Sequence, residues 1–113
     1  MHEMALAGGV LQVIEQAARE QRFARVRTVW LEVGRLAAVE PEAMRFCFDA
    51  VVRGSVAEGA RLELQVAAAE GWCLRCERAF APEARFDPCP HCGGYEVRVE
   101  GGEQMRVTEL EVD

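Results

Sequence analysis

Cys73-Leu74-Arg75-Cys76 and Cys89-Pro90-His91-Cys92, with twelve residues between the pairs, decide how the second half of this chain folds. Each C-x-x-C pair can close into a tight knuckle that aims two sulfurs at one point. Two knuckles then supply four soft thiolates, the tetrahedral donor set that suits Zn²⁺. Gly93 and Gly94 follow the second pair directly and give the permissive backbone such a turn needs. With sulfur in all four positions the ion keeps no place for water or substrate, so the site reads as structural rather than catalytic. Its binding energy folds a segment too short to bury a core of its own, where Phe80 and Phe86 are the side chains expected to pack. His91 lies inside the second knuckle and reads as a solvent-facing residue, the alternative being that it replaces one cysteine as a ligand.

Outside the cysteine segment, periodicity marks the elements. Leu6, Val10, Val13, Ile14 and Ala17 recur at spacings of three and four, one face of an amphipathic helix over residues 4–18. Gly8 and Gly9 weaken its first turns, by roughly 1 kcal/mol each relative to Ala. From Val26 to Val33 the period is two, with Val29, Leu31 and Val33 on one side and Thr28, Trp30 and Glu32 on the other; Gly34 ends this strand. Pro41 suits a first helical position, and Met44, Phe48, Val51 and Val52 form an apolar stripe for a second helix over 41–53, with Cys47 a small packing residue within it. Leu62, Leu64 and Val66 alternate with polar neighbours as a second strand, and Tyr95, Val97 and Val99 do so after the cysteines. In the last segment Met105 and Val107 share one phase and Leu110 and Val112 the other, which calls for a bulge or a change of exposed face.

These elements predict an α+β fold: two helices packed on a small three- to four-stranded sheet, with a zinc-ribbon lobe inserted before the final strand. The expected domains are residues 1–69 plus 101–113 for the α+β part and residues 70–100 for the ribbon. A chain of 113 residues, half apolar and 28% charged, has the composition of a globular protein with a modest core. It has no apolar run near the roughly 20 residues needed to cross a bilayer. His2 and Glu3 sit where a secretory leader would be basic, so the chain is read as cytoplasmic, and in that reducing compartment close cysteine pairs point to metal rather than disulfides. All thirteen cations are Arg, and four thiolates with one Zn²⁺ would take the formal charge from -6 to -8. That balance argues against nucleic acid, whose phosphates repel an acidic chain. No open-site metal set, phosphate loop or nucleophile-base pair is visible, so the chain is not expected to be an enzyme.

The other histidine is residue 2. A bulky second residue is expected to keep the initiator methionine in place, which puts the Met1 amine, the His2 amide nitrogen and the His2 imidazole within one small chelate. Nitrogen donors in a square plane suit Ni(II) or Cu(II), and the Glu3 amide nitrogen or carboxylate can complete the plane.

Met1-His2-Glu3-Met4 at the start of a helix, Val33-Gly34-Arg35-Leu36, Val39-Glu40-Pro41-Glu42, Phe46-Cys47-Phe48 and Glu58-Gly59-Ala60-Arg61-Leu62, followed by the two cysteine pairs, together resemble the HypA/HybF family. The resemblance runs essentially end to end. It implies a nickel metallochaperone for NiFe-hydrogenase maturation, with a nickel domain built from the two ends of the chain and a zinc domain between them. Nickel would be held by the amine of Met1, the amides of His2 and Glu3 and the His2 imidazole, and zinc by Cys73, Cys76, Cys89 and Cys92. The implied partners are a HypB-type GTPase and the hydrogenase large-subunit precursor, with urease a further client in some members. Nickel could be held by one chain or shared by two in a homodimer. Gly8-Gly9 early in the first helix is where this sequence departs from the family.

Overall fold

The computed structural model describes residues 2–113. Among the described residues two α-helices, one 3-10 turn and six strands follow in the order α1 (Glu3–Gln21), β1 (Val26–Gly34), the 3-10 turn (Arg35–Ala37), α2 (Pro41–Val51), β2 (Arg61–Ala67), β3 (Glu70–Cys73), β4 (Arg78–Phe80), β5 (Val97–Glu100) and β6 (Met105–Val112). One three-stranded sheet has the order β2-β1-β6 and a second the order β4-β3-β5, so the fold is α+β as expected, with the extra sheet inside the cysteine segment. The chain divides into two compact units: Met1–Glu32 with Val39–Gln65 and Arg106–Asp113, and Val33–Ala38 with Val66–Met105.

In the first unit α1 runs unbroken through Gly8 and Gly9, whose positions face open space. Tertiary burial of the neighbouring turns outweighs the weak helix propensity of the two glycines. The buried stripe of α1 is Glu3, Ala7, Val10 and Ile14, which keeps Val10 and Ile14 of the predicted face. Val13 is 52% exposed and Leu6 and Ala17 only half-buried, because the seam runs through the small Ala7 instead. Helix α2 starts with Glu40 as N-cap, its carboxylate accepting the Ala43 N–H at 2.7 Å, and Pro41 in the first turn. Met44, Cys47 and Phe48 of α2 join Val29 and Leu31 of β1 in the core. Thr28, on the strand side opposite Val29 and Leu31, is buried as well and donates its hydroxyl to Glu111 at 2.7 Å.

Strand β6 lies beside β1 in the opposite direction. The Asp113 N–H donates to the Arg25 carbonyl at one end and the Gly34 N–H to the Gln104 carbonyl at the other, in the same register. No residue is inserted between them, so the phase shift between Val107 and Leu110 is a change of exposed face and not a bulge.

In the second unit β3 pairs antiparallel with both β4 and β5. Gly71 stands opposite Phe80, and a methyl group at Gly71 would lie 2.7 Å from the Phe80 ring. Phe80 therefore covers bare backbone, as a packing residue should. Phe86 does not pack: it is 82% exposed, on a left-handed backbone at φ 70°. Gly34 and Gly102 are needed for close approach. A Cβ on Gly34 would sit 2.2 Å from the Gly102 carbonyl group, and that carbonyl accepts the Leu36 N–H at 2.6 Å.

Candidate metal centre

The sulfurs of Cys73, Cys76, Cys89 and Cys92 all lie within 4.8 Å of one another. Cys73 ends β3, Cys76 closes the turn between β3 and β4, and Cys89 and Cys92 flank the second turn before β5. The separations Cys73–Cys92, 3.8 Å, and Cys76–Cys89, 3.9 Å, are far beyond a sulfur–sulfur bond, and all four thiols are free. A tetrahedral ion about 2.3 Å from each sulfur would space them about 3.8 Å apart, so the donor set fits zinc in number, softness and distance. Cys73 and Cys89 are buried, Cys76 half-buried and Cys92 exposed. His91 is exposed with its Nδ1 3.4 Å from Arg78 Nη1, outside the cluster, as the sequence suggested.

Each knuckle is held by its own backbone. The Glu77 N–H donates to the Cys73 carbonyl at 2.9 Å, and the Gly93 N–H to the Cys89 carbonyl at 2.8 Å. Both donors sit in the left-handed region, Glu77 at φ 54° and Gly93 at φ 74°. Backbone N–H groups also reach the sulfurs: Cys76 N–H to Cys73 Sγ at 3.4 Å, His91 N–H to Cys89 Sγ at 3.3 Å and Gly94 N–H to Cys92 Sγ at 3.4 Å. Such donors favour the thiolate. The Cys76 N–H draws the Cys73 thiol down to about 7, whereas the sulfur of Cys92 and then burial push Cys76 up to about 12. Thiols this close resist ionising together without a cation, so metal uptake must expel protons.

At the other predicted centre, Met1 lies outside the described residues. His2 is exposed and caps α1, its carbonyl accepting the Leu6 N–H at 2.9 Å. Glu3 is buried, and its Oε2 accepts the N–H of Glu40 at 3.2 Å, which fastens the first residue of α1 to the N-cap of α2. That N–H, and next the amide of Glu3 itself, hold the Glu3 carboxyl below its ordinary value of 4.5. Glu3 Oε1 stands 3.7 Å from His2 Nδ1. The first N–H groups of a helix have no carbonyl partner within it, so the Glu3 amide nitrogen can be given up without opening a turn. The Glu3–Glu40 link escaped the sequence reading because an acid in a first helical turn ordinarily faces solvent; the N-cap pattern at Glu40-Pro41 was the one signal beside it.

The profile of the family described as "Hydrogenase/urease nickel incorporation, metallochaperone, hypA" matches residues 1–112. Among curated proteins, the hydrogenase maturation factor HypA of Albidiferax ferrireducens is 58% identical over 113 residues, all of both chains. That of Azotobacter chroococcum is 54% identical over the same length. The fold resembles the solution structure of the Ni metallochaperone HypA from Helicobacter pylori with a TM-score of 0.69 at 24% identity, covering 99% of this chain and 97% of that one. The chain belongs to the HypA family of hydrogenase and urease nickel-incorporation metallochaperones, and so is a maturation factor rather than an enzyme.

Proposed function

We propose that the protein binds Ni(II) at its N-terminus and delivers it for NiFe-hydrogenase maturation, with Zn(II) held structurally by Cys73, Cys76, Cys89 and Cys92. The nickel donors in this reading are the Met1 amine, the His2 amide and imidazole and the Glu3 amide nitrogen. The observation that carries it is the arrangement of His2 and Glu3: an exposed imidazole beside a carboxylate that is buried and already accepting the Glu40 N–H. That engagement favours the Glu3 amide over its carboxylate as the last donor. The carboxylate, 3.7 Å from the imidazole, instead supplies negative charge next to the dication, at a helix end whose dipole would otherwise repel it.

A chelate made of terminal nitrogens is exposed and is dismantled by protonation, which suits transfer to a partner. The tetrathiolate, closed on all sides by sulfur, suits scaffolding. We assign nickel to the domain of residues 1–69 plus 101–113 and zinc to residues 70–100, and take the recipients to be a HypB-type GTPase and the hydrogenase large-subunit precursor in the cytoplasm. The absence of any helix long and apolar enough to cross a membrane, among the described residues, agrees with this setting.

The test is a Ni(II) titration of protein with its native terminus beside protein carrying one extra residue before Met1, with zinc assayed in both. Loss of nickel binding on extension, with zinc constant, is the expected result. Equal nickel binding by both would place the nickel site elsewhere.

A further inference from the structure

The two knuckles share the backbone bond that closes each turn, Glu77 N–H to the Cys73 carbonyl and Gly93 N–H to the Cys89 carbonyl, but differ in which N–H reaches which sulfur. Cys73 and Cys89 each receive an N–H from within their own C-x-x-C pair, at 3.4 and 3.3 Å, and Cys92 receives the Gly94 N–H two residues on, at 3.4 Å. The equivalent donor for Cys76 would be Arg78. That residue opens β4 instead, in register with Cys73, and among the described residues no backbone N–H donates to Cys76 Sγ. Cys76 is therefore the one sulfur of the four whose charge no backbone donor shares.

Access narrows the choice further. Cys73 and Cys89 are 0% and 1% exposed, which leaves Cys76 and Cys92 for a reagent to reach. Exposure alone favours Cys92. Its charge, however, is shared by the Gly94 N–H, which reaches the Cys92 sulfur at 3.4 Å. Once a metal has removed every thiol proton, reactivity is set by the intrinsic nucleophilicity of each thiolate, which falls as donors stabilise its charge.

We propose that Cys76 is a modification site, the thiolate at which the metal-loaded cluster reacts first with soft carbon electrophiles. The inference rests on the reading of the cluster as a zinc tetrathiolate. The Cys76 sulfur lone pair forms the carbon–sulfur bond, and the leaving group departs with its bonding pair. No proton is released, because the sulfur carries none. The product thioether is uncharged and a poor zinc ligand, so the ion is left on three thiolates and becomes exchangeable.

The experiment uses the full-length zinc-loaded protein, assayed for zinc first, treated with limiting iodoacetamide and mapped by peptide mass spectrometry, with released zinc followed by a chromophoric chelator. The first adduct should fall on Cys76, with an excess over Cys92 of roughly threefold for each power of ten in basicity that the missing donor is worth, at a Brønsted slope of about 0.4–0.5. Zinc release should keep pace with the Cys76 adduct. First modification at Cys92, or an even spread, in protein that carries its zinc overturns the assignment of Cys76 alone. Protein that binds no zinc removes the zinc reading as well.

Discussion

The two compact units are held together by different physics. The first closes over a continuous apolar core, with Ile14, Val29, Leu31, Met44 and Phe48 at 0% exposure. In the second the most deeply buried side chains are Cys73, Cys89, Pro82 and Ala69, while Phe86 and Tyr95 stand in solvent. Apolar burial stabilises by many small increments, whereas a structural zinc site contributes about 10–16 kcal/mol at a single point. The lesson is that one element of sequence can replace a core only by binding something, and the chain uses each solution once.

The sharpest way to break this contrast is to remove the metal. Chelation, or Cys73→Ser, should abolish amide exchange protection across β3, β4 and β5 while α1, β1 and α2 keep theirs, read by hydrogen-exchange mass spectrometry. Equal loss of protection in both units would mean that the first depends on the metal too. Uptake should also weaken as pH falls, because only thiolates bind. Below about 7 the Cys73 thiol adds one more proton to those that must leave, so the fall should steepen there.

Phe48→Ala makes the converse experiment. Deleting a fully buried aromatic side chain costs about 3–5 kcal/mol, and Phe48 is the largest such residue in the first unit. Its denaturation midpoint should drop accordingly with the zinc content unchanged at one per chain. A variant that loses zinc in proportion to stability would join the two units into one cooperative structure.

How much of this was legible follows from the same contrast. Where burial comes from periodic apolar residues, the elements were readable: α2, β1 and β2 follow their spacing closely. In α1 the spacing located Val10 and Ile14 but took Val13 for part of the seam and passed over Ala7, because a small residue leaves a faint hydrophobic signal. β3 and β4, only four and three residues long, could not be read from alternation, since their packing is Phe80 laid over Gly71 and sulfur against sulfur. The meeting of the four cysteines was legible because C-x-x-C spacing constrains it directly. The inequality among them was not, since it depends on where the Arg78 backbone points.

Within the second unit a smaller comparison sets Glu77 against Gly93, the equivalent left-handed residues of the two knuckles. A side chain in that region costs about 1–2 kcal/mol relative to glycine. Glu77→Gly should therefore strengthen zinc retention against a competing chelator, and Gly93→Ala should weaken it by a similar factor. Opposite signs are the point; a matching loss from both would show that the left-handed turns are not what the knuckles have in common.

The smallest effect tests the Glu3 link in the first unit. Its carboxyl is held below 4.5 by the Glu40 N–H, so the folded chain prefers the ionised form more than the unfolded chain does. The resulting stabilisation is fully present above about 4.5 and is lost as pH falls from there through the lowered folded value. Glu3→Gln keeps an acceptor for the Glu40 N–H but has no charge to titrate. The variant should be the less stable one at neutral pH, and the difference should shrink as the solution is acidified through that window. A gap that stays constant with pH would assign the cost to the altered shape of the side chain, and the tether between α1 and α2 would then owe nothing to charge.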